Sequence, residues 1–273
     1  MTEVIGFIGA GRLGEPMVLR LLDAGHQVLV HARSGEVRDR LWIHGAALAD
    51  SVAVVAAESD IVISCLSSDA QLSEISQGLD GVPANAKHDA LFVSHTNGAV
   101  QALAEMAARS TKGLQVLDAP VSGTAEDVAE GAVTVLLGGA SDAVERVKPV
   151  LAAYAKPIIP TGGLGSALHL KLINNLLFAA NAQLVVAASE FGRALGVDPT
   201  ALLSALMVCS GGSAAAAQAL VAGGVDAFAS VAGPNLRRDV AACLDAAELA
   251  GADSGALGAL VRTGPLRLTP GRP

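Results

Sequence analysis

A glycine-rich loop near the start of the chain constrains the fold more than any other feature. The loop is Gly9-Ala10-Gly11-Arg12-Leu13-Gly14, and it follows a short apolar run, Val4-Ile5-Gly6-Phe7-Ile8. Apolar residues at helical spacing come next, and a second apolar run, Gln27–His31, follows them. A strand, a glycine turn, a helix and a second strand in this order predict a dinucleotide site, because the glycines let the backbone approach a pyrophosphate at the helix N-terminus. The alternative is a glycine-rich turn without a ligand.

The residues at the end of the second predicted strand indicate which dinucleotide binds. An acidic residue at this point accepts a hydrogen bond from the 2′-hydroxyl of NAD, whereas a basic residue suits the 2′-phosphate of NADP. The sequence reads His31-Ala32-Arg33-Ser34 and contains no carboxylate here. Arg33 and Ser34 therefore favour NADP over NAD, because hydrogen bonds from a guanidinium to a phosphate are charge-assisted. The alternatives are that Arg33 stacks on adenine or points to solvent.

Strand and helix patterns alternate as far as Pro160. Further strands are predicted at 60–66, 90–94, 115–117, 133–137 and 156–160, and helices at 51–58, 69–78, 99–109 and 142–154. This alternation predicts an α/β fold with a doubly wound parallel sheet of the Rossmann type. Ligands of such sheets bind at the carboxyl ends of the strands. The segments Leu66-Ser67-Ser68, His95-Thr96 and Ser122-Gly123 follow predicted strands, so we expect them to line the ligand crevice.

A glycine cluster, Gly162 to Gly165, marks a domain boundary, because strand patterns stop there. We therefore expect a dinucleotide-binding domain over residues 1–163 and an all-helical C-terminal domain over residues 164–273. Helices of the second domain are predicted at 168–195, 199–207, 214–222, 234–249 and 254–261. The tail, 263–273, contains Pro and Arg and is expected to fray.

The first helix of the second domain carries a candidate catalytic pair. Lys171 and Asn175 stand four residues apart, so both side chains project from one helix face, with Asn174 beside them. Their neighbours in the sequence are apolar, and a lysine is rarely buried without a partner. This pattern indicates that Lys171 opens onto a cleft that holds an anionic or reducible ligand. The alternative is a solvated lysine at a helix start, with the asparagines acting as caps.

The charge balance argues against several classes of partner. The formal net charge is -8 and the pI is about 5.2, and no run rich in Lys and Arg occurs, so nucleic acid and anionic membranes are not expected partners. Cys65, Cys209 and Cys243 lack metal or redox spacing, so we expect reduced thiols and no metal site. The N-terminus lacks the basic segment of a signal peptide, and polar residues interrupt the longest apolar stretch. We therefore expect a soluble cytoplasmic protein.

Four short segments, taken in order, point to one family. They are an opening segment from Gly6 to Met17, the segment Asp118-Ala119-Pro120-Val121-Ser122-Gly123, the segment Lys171-Leu172-Ile173-Asn174-Asn175, and Arg238-Asp239-Val240. They resemble the opening signature, the substrate-binding motif, the catalytic motif and the Lys-Asp-Leu segment of the β-hydroxyacid dehydrogenase family. That family contains 3-hydroxyisobutyrate dehydrogenase and tartronate semialdehyde reductase. The resemblance extends over nearly the whole chain.

The resemblance implies an oxidoreductase that interconverts a small 3-hydroxy acid and its aldehyde or keto acid. Lys171 would donate and accept the proton, and Ser122, Gly123 and Asn175 would hold the substrate. The loop fingerprint and the resemblance together give these cofactor contacts: Gly9, Ala10, Gly11, Arg12, Leu13, Gly14, Arg33, Ser34, Cys65, Leu66, Thr96 and Arg238. The resemblance also implies a homodimer through the helical domain, which the apolar, alanine-rich character of that domain favours as well.

The sequence departs from the family pattern at several positions. Thr124 replaces a second glycine after Ser122, so we expect a narrower substrate pocket or an added hydroxyl. Ala167 stands where the family has glycine, and Arg238 keeps the charge of the usual lysine but not its shape. His95-Thr96-Asn97-Gly98 differs from the family's usual Ser-Thr-x-x-Pro pattern. These departures bear on the particular substrate more than on the reaction.

Two other functions stay open at the level of the sequence. One is an imine reductase-like enzyme that uses NADPH, and the other is a non-catalytic module that binds NADP. By the same family comparison, imine reductases usually have another residue in place of Lys171, and the non-catalytic relatives lose the lysine. Lys171 therefore counts against both alternatives.

Overall fold

The computed structural model describes residues 3–269. The chain forms two compact units, Met1–Leu170 and Lys171–Pro273. This division falls later than the expected boundary at residue 163, because helix α9 (Ser166–Ala194) begins in the first unit, where Leu168 packs into the core. The final residues of the tail that was expected to fray, 270–273, lie outside the described residues.

A nine-stranded sheet forms the centre of the first unit. Its strands are β1 (Val4–Ile8), β2 (Gln27–His31), β3 (Ala47–Leu48), β4 (Ile61–Ser64), β5 (Leu91–Ser94), β6 (Gln115–Asp118), β7 (Val121–Ser122), β8 (Val133–Gly138) and β9 (Ala155–Gly162). They lie in the order β3-β2-β1-β4-β5-β6-β8-β7, with β9 beside β8. The run from β3 to β6 is parallel, so the predicted Rossmann-type fold is confirmed.

One strand of this mostly parallel sheet, β8, has antiparallel neighbours. This strand runs antiparallel to β6, with Asp118 opposite Gly138, and antiparallel to β7, with Val121 opposite Val135. The connection from β7 to β8 contains only the short helix α7 (Ala125–Ala129). A parallel crossover needs a longer connection, so the chain turns back and pairs antiparallel.

Helices cover both faces of the sheet. They are α1 (Gly14–Asp23), α2 (Gly35–Ile43), α3 (Val52–Glu58), α4 (Asp69–Ser76), α5 (Val82–Asn85), α6 (Val100–Arg109) and α8 (Ser141–Leu151), together with α7. Successive strand residues point to opposite faces, so Ile61 and Ile63 lie in one hydrophobic core and Val62 in the other. Helix α2 was not predicted, because its sequence has little amphipathic character: Leu41 is buried while Trp42 and Ile43 are exposed.

A buried carboxylate ties the end of β6 to the start of α9. The Asp118 side chain is fully buried, and its Oδ1 and Oδ2 accept hydrogen bonds from the backbone N–H groups of Gly165 and Leu168, each at 2.8 Å. The first N–H groups of a helix have no partner within the helix and carry the positive end of its dipole. Asp118 therefore supplies both the acceptors and the negative charge that this helix start requires.

The second unit is helical, as predicted. Beyond α9 it contains α10 (Pro199–Leu206), α11 (Ala214–Val221), α12 (Val225–Leu249) and α13 (Gly255–Thr263). The prediction that a helix begins at Pro234 is wrong, because α12 begins at Val225 and continues through the proline. Phe228, Leu236 and Val240 share one buried face, and this packing outweighs the hydrogen bond that the proline removes.

Helix α9 is long and apolar enough to cross a membrane by length and composition alone. One of its faces is buried in the core of the second unit, with Ala179, Ala182 and Val186 packed among the other helices. A core helix of a globular protein passes the same test. The opposite face exposes an apolar stripe, formed by Ile173, Leu177, Leu184, Phe191 and Leu195.

We predict that Asp118→Asn lowers the free energy of unfolding by about 1–3 kcal/mol, because one buried N–H group would face an amide N–H instead of an oxygen. Asp69→Asn is the matched control, since the Asp69 carboxylate also accepts a backbone N–H, that of Ala99, but at an exposed site. The control should change stability by about 0.5 kcal/mol or less. Chemical denaturation of both variants measures the difference, and equal losses would contradict this role for Asp118.

Candidate active site

The glycine loop folds tightly between β1 and α1. Gly9 has a φ of +93°, a conformation that favours glycine, and the Gly11 N–H donates to the Gly9 carbonyl at 2.9 Å. A Cβ on Gly9 would lie 2.5 Å from the carbonyl oxygen of Cys65, so a side chain here would force the loop away from the end of β4. Leu13 precedes α1 without a side-chain cap, so no capping side chain competes with a ligand at this helix start, where the Glu15 N–H donates to the Gly11 carbonyl at 2.8 Å.

The space around the loop fits a dinucleotide pyrophosphate. A Cβ on Gly14 would collide with the Gly9 carbonyl oxygen, so this glycine is needed for packing within the fold. By contrast, over residues 3–269 no atom outside Gly11 and its two chain neighbours lies within 4 Å of the position that a Cβ on Gly11 would take. Gly11 therefore leaves its backbone open to a ligand, as the second glycine of the fingerprint does.

A cleft of about 450 Å³ opens at the carboxyl ends of β1, β2 and β4. Seven of the predicted cofactor residues line it: Gly9, Ala10, Gly11, Arg33, Ser34, Cys65 and Leu66. Ser67, which was expected to line the crevice, also lies in its wall. Of the other loop residues, Arg12 is exposed and Leu13 packs against the core. The cleft thus brings together the residues expected at the pyrophosphate and at the adenosine ribose.

Several residues of this wall were missed by the sequence analysis. They are His31, Val37, Val52, Gln71, Glu74 and Ile75. Gln71, Glu74 and Ile75 come from α4, which follows β4, and their helical spacing gave no sign that one face meets the cleft. The signal that could have found them is position, because α4 begins at the carboxyl end of a central strand.

Arg33 is exposed at the cleft, and no ion pair involves it within residues 3–269. The neighbouring arginines are engaged: Arg38 bonds the Ala49 carbonyl and Asp50, and Arg40 forms a bidentate pair with Glu15. Arg33 is therefore the arginine of this group that stays available to an anionic ligand.

The expectation that His95 lines the crevice is wrong. Its side chain is buried, with Nδ1 2.6 Å from the Ala119 carbonyl oxygen and Nε2 2.8 Å from the Tyr154 hydroxyl. Burial lowers the pKa of His95 to about 4, so the ring is neutral at physiological pH. The next residue, Thr96, is also buried, and its Oγ1 has no hydrogen-bond partner in the described structure. Thr96 was expected to contact the cofactor, but it is only 2% exposed and does not line the cleft.

The substrate-motif residues Ser122 and Gly123 lie at the end of β7. Ser122 is exposed, and Gly123 has a φ of +146° that favours glycine. The Thr124 hydroxyl accepts the Asp127 N–H while the Asp127 carboxylate accepts the Thr124 N–H at 2.6 Å. These reciprocal bonds cap α7. The residue that departs from the family pattern at 124 therefore serves as a helix cap, and its side chain is held by α7.

In the second unit, Lys171 is partly buried on the first turns of α9. Burial lowers the pKa of Lys171, while the charge of Asp239 acts in the opposite direction. The thiol of Cys243 donates to the Leu172 carbonyl at 3.1 Å, so α12 packs directly against this turn of α9. Asp239 lies one helical turn before Cys243 on α12, and this position brings the Asp239 carboxylate near the Lys171 ammonium.

Asn175 and Arg238 are the other predicted site residues of the second unit. The Asn174 amide donates to the Asn175 side-chain oxygen at 3.3 Å. Arg238 is largely exposed and lies 3.4 Å from Asp239. The predicted site residues thus form two sets, with the cofactor and Ser122–Gly123 positions in the first unit and Lys171, Asn175 and Arg238 in the second. No cluster of metal-binding side chains occurs over residues 3–269.

Known proteins with similar sequences identify the family of this chain. The NAD binding domain of 6-phosphogluconate dehydrogenase matches residues 4–163. The 2-hydroxy-3-oxopropionate reductase of Escherichia coli is 32% identical over 204 residues, which are 74% of this chain and 70% of that protein. The chain belongs to the β-hydroxyacid dehydrogenase family. The 3-hydroxyisobutyrate dehydrogenase of Pseudomonas aeruginosa is 31% identical over 214 residues, 78% of this chain and 72% of that protein.

Solved structures agree with this assignment. The 3-hydroxyisobutyrate dehydrogenase of Mycobacterium tuberculosis, solved with L-serine, has a TM-score of 0.83 and 26% identity, covering 96% of this chain and 91% of that chain. An imine reductase from Pseudomonas sp. has a TM-score of 0.61 and 23% identity, which shows the shared fold alone. This protein is therefore a β-hydroxyacid dehydrogenase-type oxidoreductase with an NAD(P)-binding domain.

Proposed function

We propose that this oxidoreductase interconverts a small 3-hydroxy acid and its aldehyde or keto acid with NADP(H), and that Lys171 transfers the proton. The observation that carries the proposal is the partly buried Lys171, whose pKa is lowered and which shares a helix face with Asn175. A lysine with a lowered pKa suits general acid and base catalysis, because it gives up and regains a proton closer to neutral pH. The named relatives act on substrates of this class.

Each group of residues has one task in this proposal. Bound NADP(H) supplies or accepts the hydride. The backbone of Gly9 to Gly14 and the start of α1 would hold the pyrophosphate, and Thr96 would lie near the nicotinamide ribose. Ser122, Gly123 and Asn175 hold the substrate, with backbone N–H groups near Ser122 taking its carboxylate. Lys171 protonates the developing alkoxide during reduction and removes the same proton during oxidation.

The preference for NADP over NAD is part of this proposal. Arg33 and Ser34 line the cleft at the end of β2, where the dinucleotide-binding fold reads the 2′-position of the adenosine ribose. Arg33 is exposed there and free of the ion pairs that engage Arg38 and Arg40. A phosphate group would satisfy its donors, whereas NAD offers only a hydroxyl.

An imine reductase is the second candidate. It is supported by the shared fold of the Pseudomonas sp. imine reductase. Lys171 favours the hydroxy acid reaction, because protonation of an alkoxide needs a general acid at this position. A survey of NADPH oxidation with small aldehyde acids and with cyclic imines separates the two, and the non-catalytic module would turn over neither.

We also propose a homodimer in which the apolar stripe of α9 packs against a second copy of the chain. Leu177, Leu184 and Phe191 recur every seven residues, with Leu195 one turn further on. This spacing is typical of a helix that packs along another helix, and a face of this kind is self-complementary about a two-fold axis.

We further propose a cytoplasmic location. The free cysteines and the net charge of -8 support it, and cell fractionation would check it.

Arg33→Ala should weaken NADPH binding about 10- to 100-fold, since a charge-assisted contact contributes roughly 1.5–3 kcal/mol. NADH binding should change little, because that cofactor lacks the 2′-phosphate. Arg38→Ala is the control, as its guanidinium is already bonded to Ala49 and Asp50. Titration of both cofactors by fluorescence checks the prediction. Tighter binding of NADH than NADPH by the unaltered protein would refute the preference.

Lys171→Ala should lower kcat by roughly 10²- to 10⁴-fold with NADPH affinity nearly unchanged. Lys171→Arg should lower kcat as well, because a guanidinium does not release its proton near neutral pH. Lys156→Ala, at an exposed lysine of β9, is the control. A fully active alanine variant would remove Lys171 from the mechanism.

The pH dependence tests the same lysine. Reduction needs the protonated ammonium, so its rate should fall as pH rises through the Lys171 pKa, and oxidation should rise over the same range. The midpoint should lie below the usual 10.5. Asp239→Asn should move the midpoint to lower pH, because the Asp239 charge raises this pKa. A midpoint that moves upward would contradict the assignment.

Sedimentation should show a dimer at micromolar concentration, and Leu184→Glu should convert it to a monomer, because a charge in the middle of the apolar stripe would be buried without a partner. Val221→Glu is the control, since Val221 is also an exposed apolar residue, 90% exposed against 53% for Leu184, but lies outside the stripe. A monomeric wild-type protein, or dissociation by the control alone, would overturn the proposed interface.

A further inference from the structure

His95 joins the ends of two neighbouring strands through its ring. It is the first residue after β5, and its Nδ1 lies 2.6 Å from the carbonyl oxygen of Ala119, the first residue after β6. The Ala119 N–H in turn donates to the Ser94 carbonyl at 2.7 Å. On the other side of the ring, Nε2 lies 2.8 Å from the hydroxyl of Tyr154, which is fully buried just before β9. The ring thus bridges three elements of the sheet.

The chemistry of these partners fixes the direction of both hydrogen bonds. A backbone carbonyl can only accept, so the Nδ1 of His95 must carry the proton and donate it to Ala119. The neutral ring then leaves Nε2 as an acceptor, which must receive the Tyr154 O–H. Burial lowers the pKa of His95 and raises that of Tyr154, so both groups stay neutral and the pattern persists at physiological pH. Both ring nitrogens are occupied, so His95 does not exchange protons with a substrate.

The two contacts lie beside the proposed cofactor and substrate positions. Thr96, the residue after His95, presents the buried hydroxyl that has no partner among the described residues. Ala119 follows Asp118 and leads through Pro120 into Ser122 and Gly123. A displacement of the Ala119 carbonyl would therefore move the segment that carries the substrate motif, and a displacement of His95 would move the Thr96 hydroxyl.

We propose that His95 is a positioning residue, whose Nδ1–H bond to Ala119 sets the Thr96 hydroxyl and the Ser122–Gly123 segment in register for cofactor and substrate. The proposal rests on the function proposed above. It assigns the two ring nitrogens different tasks. The bond from Nδ1 to the Ala119 carbonyl supports binding and turnover. The bond from the Tyr154 hydroxyl to Nε2 stabilises the core.

Two substitutions separate these tasks. The side-chain amide of asparagine overlays Nδ1 of a histidine, so His95→Asn keeps the donor to Ala119 and loses the acceptor for Tyr154. The amide of glutamine overlays Nε2, so His95→Gln keeps the Tyr154 bond and loses the Ala119 bond. Tyr154→Phe removes the Nε2 bond without altering His95. Each variant keeps a side chain that fills most of the space, which favours folding.

We expect His95→Gln to raise the NADPH dissociation constant and the KM of the carboxylate substrate by about 10- to 100-fold, because a small misplacement of binding groups has effects of this size. His95→Asn and Tyr154→Phe should keep both constants within about threefold of wild type while lowering the melting temperature. A role in stability alone predicts instead that the constants follow the melting temperature in all three variants.

The dissociation constants and KM values of the variants are compared with those of the wild-type protein. Impairment of His95→Asn with normal binding by His95→Gln, or equal effects of the two, would overturn the proposal. If the wild type turns over no aldehyde acid, the proposed function fails. The NADPH dissociation constants, which require no turnover, then decide the role of His95 by the same comparison of Asn and Gln.

Discussion

The buried carboxylate of Asp118 is the interaction on which the rest of the structure depends. It ends β6, the last strand of the parallel run from β3 to β6, and accepts hydrogen bonds from the backbone N–H groups of Gly165 and Leu168 at the start of α9, the helix that carries Lys171. The same residue opens the segment that leads to Ser122 and Gly123. A buried carboxylate is costly without partners, so this strand end and this helix start stabilise each other. The segment that leads to Ser122 and Gly123 and the start of the helix that carries Lys171 thus share one junction.

The parts of this protein that could be predicted from sequence are those governed by local chemistry. The bounds of β1 and β2 follow from short apolar runs that end at a glycine loop or a polar turn, and both strands lie where expected. The cleft residues Gly9, Gly11 and Arg33 were predicted for the same reason, since a strand, turn and helix in succession leave little freedom in where a ligand binds.

The parts that were not predicted depend on contacts between distant residues. The position of His95 after a predicted strand suggested a crevice residue, but its ring is buried in the core, where the carbonyl of Ala119 and the hydroxyl of Tyr154, 59 positions further along, bond both of its nitrogens. The antiparallel direction of β8 depends on its pairing with β7, and the passage of α12 through Pro234 depends on the core of the second unit. Glu74 lines the cleft because α4 packs beside it. None of these contacts leaves a periodic signal in the sequence.

The proposed reaction is the transfer of a hydride between NADP(H) and the carbinol carbon of a small hydroxy acid. The most direct measurement supplies NADPH deuterated in turn at each of its two C4 positions, together with a set of small aldehyde acids and cyclic imines. We expect deuterium at the carbinol carbon of a hydroxy acid product from one of the two labelled cofactors. Deuterium found only in reduced imines, or in no product, would contradict it.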